Sequence, residues 1–263
     1  MDFGLKGKVA LVCASSRGLG RAVAAELANE GADLLLCARG AEALAETRKA
    51  IAAKSDVRVV ALAADLTDPA EVTRVVDTGI AELGRIDILV TNIGGPPPGR
   101  FESHSAQAWT RAAQQNLMSV INLSRAVLPD MKRRGWGRII NITSLAAKQP
   151  VENLILSNTM RAGVTGFAKT LADELAEFGI TVNNVLPGYT RTKRLEQLAE
   201  KVAKETDRSA ADVMSRWSDT VPMKRLGTPE EFAALTAFLA SERASYVTGT
   251  SIPIDGGVCR ALL

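Results

Sequence analysis

The sequence predicts an α/β fold: a doubly wound parallel sheet of about seven strands with helices on both faces, formed as one domain over residues 1–263. Three observations predict it. Short apolar runs alternate with helical patterns along the whole chain. Runs such as DILV and RIINI are continuously apolar, as strands buried on both faces are. The first run, VALVCASSRGLG (9–20), passes from a strand through a small-residue turn into the start of a helix.

The elements follow in order. VALVCA precedes the helical RAVAAELANEG, DLLLCA precedes AEALAETRKAIAAK, and VRVVALAA precedes PAEVTRVVDTGIAELG. DILVTNIG leads into a longer helical stretch, read from Gln107 to Arg133. RIINITS is followed by a helical run from about Asn158 to Glu177, and TVNNVLPG by a charged helical segment from about Thr192 to Trp217. PEEFAALTAFLAS and TSIPIDGG close the series. In open sheets of this kind ligands bind beyond the carboxyl ends of the strands, where the strand order reverses, so the informative residues are strand-terminal ones.

Composition narrows the function classes. The net charge is +3, with 32 basic residues scattered among 29 acidic ones, and implies no nucleic-acid partner. The tightest basic group, Lys132, Arg133, Arg134 and Arg138, falls at the expected end of a helix, where cations are favoured. Cys13, Cys37 and Cys259 are odd in number and lack metal-ligand spacing, which predicts reduced thiols and no bound metal. No basic-then-apolar leader opens the chain and no apolar run is long enough to cross a bilayer, so the expectation is a cytoplasmic protein without a membrane partner.

The turn after the first strand is a phosphate site in outline. A helix N-terminus presents free N–H groups and partial positive charge. Ser16, Arg17, Gly18, Leu19 and Gly20 surround that terminus, and the glycines permit close approach of a pyrophosphate or of the next strand. After the second strand, Ala38 and Arg39 stand where a dinucleotide enzyme using NAD offers a carboxylate to the ribose 2′-hydroxyl. Arg39 with Arg17 suits a 2′-phosphate, so the cofactor read from the sequence is NADP(H).

Taken together, CASSRGLG (13–20), Asp65–Leu66, TNIGG (91–95), Asn116, NITS ending at Ser144, NNVLPGYTRT (183–192) and YVTGTSIPIDGG (246–257) resemble the classical short-chain dehydrogenase/reductase family. The likeness covers almost the whole chain and is greatest to the branch containing 3-oxoacyl-acyl-carrier-protein reductases. It implies a Rossmann-like fold and a small-molecule substrate. Two positions depart from the pattern: Ala14 replaces the first glycine of the loop, and Thr91 stands where the family often has asparagine. The resemblance places Asp65 and Leu66 at the adenine, and Asn92 and Gly94 at the adjacent ribose. It places Pro187, Gly188, Thr190 and Thr192 at the nicotinamide and its phosphates. It also implies a homotetramer, with a dimer as the second expectation.

The catalytic positions are altered. The family's proton donor is a tyrosine, with a lysine four residues later that lowers its pKa and holds the cofactor ribose. Here Ser157 and Arg161 occupy those two positions, within SNTMR. An aliphatic hydroxyl is a far weaker acid than a phenol, and a guanidinium does not give up a proton near neutral pH, although Arg161 keeps the positive charge that holds the cofactor ribose in the family. Ser144 and Asn116 remain, the first as a donor to a carbonyl oxygen and the second to fix a water or local backbone. Tyr189 is read as packing beneath the substrate loop, Lys148 as facing solvent and His104 as an exposed loop residue. Pro96, Pro97 and Pro98 stiffen one wall of the pocket, and a lid is expected around residues 190–220. Two readings follow: an NADP(H)-dependent oxidoreductase of carbonyl compounds with altered chemistry, or a catalytically weak or inactive NADP(H)-binding protein serving as sensor, scaffold or partner subunit.

Overall fold

In the computed structural model, which describes residues 2–262, seven strands form one parallel sheet. They are β1 (Val9–Cys13), β2 (Asp33–Ala38), β3 (Val59–Ala63), β4 (Ile88–Thr91), β5 (Gly137–Ile142), β6 (Ile180–Pro187) and β7 (Ser251–Ile254). Their order is β3-β2-β1-β4-β5-β6-β7, so the direction of winding reverses between β1 and β4. A crevice opens at such a reversal because the connections on its two sides leave for opposite faces.

Side chains alternate across the strands and build a core on each face. On one side Ala10 and Val12 of β1 pack with Val23 and Leu27 of α1 (Gly18–Asn29), Leu44 of α2 (Ala41–Ala52) and Phe232 of α9 (Pro229–Ala240). On the other, Val9 and Leu11 meet Val72 and Val75 of α3 (Pro69–Leu83), Leu123 and Val127 of α5 (Ser119–Arg134), and Leu171 of α6 (Ile155–Leu175). Burial on both faces is why the strands read as continuous apolar runs.

Three helix boundaries differ from the sequence expectation. The stretch read as Gln107 to Arg133 is α4 (Ala106–Ala113), a π-helical turn (Gln114–Met118) and then α5. The run read from Asn158 begins three residues earlier, at Ile155, without a side-chain cap at Leu154, and ends at Leu175 before a short 3-10 turn over Ala176–Phe178. The charged segment read from Thr192 to Trp217 is two helices, α7 (Lys193–Thr206) and α8 (Ala210–Thr220). Asp207 breaks it in the left-handed conformation, φ 50°, and Ser209 with Asp212 makes the capping box that starts α8.

One buried polar ladder ties the ligand-facing half of the sheet together. Thr91 Oγ1 donates to Asn141 Oδ1 (2.8 Å), Asn141 Nδ2 to Asn184 Oδ1 (3.0 Å), and Asn184 Nδ2 to Ser251 Oγ (3.0 Å). The four residues are in register across β4, β5, β6 and β7. Threonine therefore serves at position 91, because the ladder needs one donor there. A satisfied buried network of this kind fixes strand register.

Candidate active site

A cleft of about 730 Å³ runs along the carboxyl ends of the strands, a size suited to a cofactor with a small substrate. Strand order sets what lies along it. Asp65 and Leu66 follow β3, Arg39 follows β2, and the turn from Ala14 to Leu19 follows β1. Beyond the reversal come Asn92 and Gly94 after β4, Ser144 after β5, and Pro187, Gly188, Thr190 and Thr192 at and after β6. Ser157 and Arg161 of α6 line the same cleft. The sequence-predicted residues are thus brought together, with two exceptions.

Gly20 and Asn116 do not line it. A Cβ on Gly20 would lie 2.5 Å from the Ala14 carbonyl oxygen and 2.9 Å from Asn92 Nδ2, so this glycine serves close packing of α1 behind the cleft wall. Asn116 is fully buried in the π-helical turn, where its Nδ2 donates to the Ala112 carbonyl (3.2 Å) while its Oδ1 has no partner. Of the two roles read for it, the hold on local backbone is the one seen. Gly18 has a left-handed backbone, φ 58°, and a Cβ there would meet only Thr192, at 3.8 Å. The mouth of the turn is open above the N-terminus of α1, an anion cradle in its geometry. Ala14 holds φ 48°, a conformation that glycine adopts freely and alanine does not.

Ser144 and Arg161 define the chemistry of the deep end. Ser144 Oγ accepts the Ala146 N–H (3.1 Å), which orients the side chain and leaves its own O–H free to donate. Asn158 holds the loop after Ser144 against α6: its Nδ2 donates to the Val151 carbonyl (3.0 Å), and its Oδ1 accepts the Val151 N–H (3.2 Å). Arg161 is 5% exposed. Its two terminal nitrogens donate to the Ile142 carbonyl (3.2 Å) and the Ile93 carbonyl (3.0 Å), bridging the ends of β5 and β4, while its Nε has no partner. Burial, with added repulsion from Arg194, brings its pKa down to about 10, still far enough above neutrality to keep it charged.

Other candidates fall away from the cleft. Tyr189 stacks on Trp217 of α8, ring centroids 5.6 Å apart, and burial raises its pKa, so its side chain packs against α8. Lys148 does not line the cleft. His104 is a correction: it is partly buried, with Nε2 unpartnered and tucked against Gly99, instead of exposed. Cys13 and Cys37 are buried free thiols; burial raises both, Cys37 to about 12, which makes them unreactive. No group of metal-ligating side chains occurs among the described residues. Sequence reasoning missed Gln115, Lys193 and Arg194, all of which line the cleft. Arg194 follows the Thr190/Thr192 pair by two residues, yet its reach to Gly94 and Gly95 depends on where the first turn of α7 sits relative to the loop after β4.

A family model described as enoyl-(acyl carrier protein) reductase matches residues 13–259. The chain belongs to the classical short-chain dehydrogenase/reductase family. Within it, the chain is 33% identical over 256 residues to the NADPH-dependent reductase BacG of Bacillus subtilis, covering 97% of this chain and 99% of that one. It is 36% identical over 254 residues to the 3-oxoacyl-[acyl-carrier-protein] reductase FabG of Haemophilus influenzae, covering 97% and 99%. The solved structure of L-sorbose reductase from Gluconobacter frateurii, complexed with NADPH and L-sorbose, superposes with a TM-score of 0.96 at 34% identity over 100% of both chains. These matches span nearly the whole chain, including the strand ends that line the cleft.

Proposed function

We propose that this protein is an NADP(H)-dependent oxidoreductase that reduces a small carbonyl compound without a phenolic acid. The observation that carries the reading is the composition of the cleft: it is lined by Arg17 and Arg39, without a carboxylate at Ala38, and by Ser144, with a free O–H, and Arg161. The NADPH-dependent reductases among its relatives support the same cofactor.

The residues fit NADP(H). The N-terminus of α1 with Ser16, Gly18 and Leu19 suits the pyrophosphate, and Arg17 and Arg39 suit the 2′-phosphate. Asp65 and Leu66 border the adenine; the Asp65 carboxylate is held by Thr67, whose N–H and O–H both donate to Oδ1 (3.0 and 2.9 Å). Asn92 and Gly94 border a ribose, and Pro187, Gly188, Thr190 and Thr192 border the nicotinamide and its phosphates. When bound, the cofactor supplies the hydride. Ser144 donates a hydrogen bond to the substrate oxygen, and Arg161 supplies a fixed positive charge as that oxygen becomes negative. Neither delivers a proton as a phenol does, so the proton comes from solvent or from the substrate itself. The segment 190–220, with α7 and α8, acts as the lid.

A second reading, a catalytically weak or inactive NADP(H)-binding sensor, scaffold or partner subunit, is favoured by the paired change at 157 and 161. Fluorescence titration with NADPH, followed by NADPH oxidation over a panel of ketones and oxo acids, separates the two. Binding with turnover of one substrate class supports the enzyme, and tight binding without turnover of any supports the sensor. The proposed assembly is a homotetramer, with a dimer second. Light scattering at micromolar concentration tests it, and a monomer refutes it.

A further inference from the structure

Past the 2′-phosphate end, the charged side chains that line the cleft are cationic. Asp65, at the β3 end, is the one acidic residue lining it among the described residues. Across β4, β5 and β6 the lining includes Arg161, Lys193 and Arg194. Arg161 and Arg194 both reach the segment after β4. Arg161 donates to the Ile93 carbonyl, while a terminal nitrogen of Arg194 lies 2.8 Å from where a Cβ on Gly95 would be. The two cations are near enough to repel each other, and neither forms an ion pair among the described residues. Arg161 is almost wholly buried, its Nε is without a partner, and each terminal nitrogen has one shown contact although it carries two N–H donors. A buried cation facing another cation is unfavourable until an anion joins them, and guanidinium groups match the flat fork of a carboxylate.

We propose that the substrate is an oxo acid whose carboxylate docks between Arg161 and Arg194, leaving its carbonyl oxygen to the Ser144 hydroxyl. The proposal rests on the reductase reading above and names its substrate class. Replacement of the family's tyrosine by Ser157, a much smaller side chain in the same cleft one helical turn before Arg161, removes the bulk that would otherwise separate a substrate group from the guanidinium. Phosphorylated ketones offer related anionic chemistry, and the assay distinguishes them.

The protein saturated with NADP+ is titrated calorimetrically with 2-oxopentanoate, with its methyl ester, and with dihydroxyacetone phosphate against dihydroxyacetone. This readout needs no turnover. The acid is expected to bind about tenfold or more tightly than its ester. Arg194→Met, in the first turn of α7 and away from the core, should remove most of that preference while changing NADPH affinity by less than about threefold. Equal binding of acid and ester overturns the proposal, and so does a preference confined to the phosphate. Loss of about tenfold in NADPH affinity in Arg194→Met with the acid preference intact also overturns it, because the arginines then serve the cofactor's pyrophosphate. Failure of the wild-type protein to bind NADPH at all is a different result and sinks the reductase reading itself.

Discussion

Replacing Arg39 by alanine should convert an NADPH-selective protein into one much closer to indifferent between the two nicotinamide cofactors. Arg39 directly follows β2 and precedes Gly40, the N-cap of α2, so its side chain is exposed at the rim of the cleft and no part of the core depends on it. Among the described residues it makes no ion pair, and its full charge is available to a 2′-phosphate. A charge-assisted hydrogen bond contributes about 1.5–3 kcal/mol, and exposure places this one in the lower part of that range. About 1.5–2 kcal/mol corresponds to NADPH binding weakened roughly 10- to 30-fold. NADH, which has no 2′-phosphate, should change by less than about twofold. Arg17→Ala should act in the same direction, and the double variant should lose less than the sum because both side chains hold one group. Nucleotide fluorescence titration at two salt concentrations reads all of this, the preference shrinking as salt rises. Equal weakening of NADPH and NADH in Arg39→Ala, or equal wild-type affinities, refutes the reasoning.

Other outcomes follow from the same geometry. Ser157→Tyr/Arg161→Lys should raise NADPH-dependent reduction of ordinary ketones by about two orders of magnitude or more, and Ser157→Tyr alone by less, as measured by steady-state NADPH oxidation. Wild-type turnover should be flat from about pH 6 to about pH 9, since no phenol or lysine titrates in the reaction. It should then fall as pH approaches about 10, where Arg161 loses its proton and the oxyanion its positive partner; a pH–rate profile with a limb near neutrality would show another titrating group at work. Ala14→Gly should stabilise the fold, because the left-handed backbone at φ 48° costs alanine about 1–2 kcal/mol. The extra freedom of glycine in the unfolded chain offsets about 0.4–1 kcal/mol of that, leaving a rise of a few degrees at most in a thermal melt.

The sheet was legible because a parallel strand covered on both faces has nothing to alternate. VALVC, the LLLC of β2 and the ILV of β4 are apolar throughout. The interruption at Gln114–Met118 was not legible. QQNLM continues a helical pattern, and the widened turn is held by tertiary contacts and by Asn116 bonding back to Ala112. The early start of α6 has no capping signal to read, since Asn158 spends its side chain on Val151. The split of the lid was legible in principle: the Ser209 and Asp212 spacing is a capping-box signature inside a charged stretch. Strand-end motifs located most of the residues that line the cleft, but whether a residue faces the cleft or braces its wall, as Gly20 and Asn116 do, depends on packing between α1, the β4 end and α4.

Arg161 accounts for why the altered site keeps its shape. A lysine has one terminal nitrogen, whereas the guanidinium spans two carbonyls, those of Ile93 and Ile142, and so clamps the ends of β4 and β5 at the point where both walls of the cleft begin. The clamp sets the deep end without help from a tyrosine. It also makes the site's charge permanent under ordinary conditions, where a tyrosine and lysine pair would share a mobile proton. On the proposed reading, such a site stabilises an oxygen as it gains negative charge but does not discharge it. It is therefore matched to substrates whose product oxygen is protonated readily by water, or whose own acid group lies nearby. The retained Ser144 O–H weighs for the enzyme over the sensor: in the cleft of a pure nucleotide sensor nothing calls for an unspent hydroxyl donor, whereas the oxygen of a carbonyl substrate uses one.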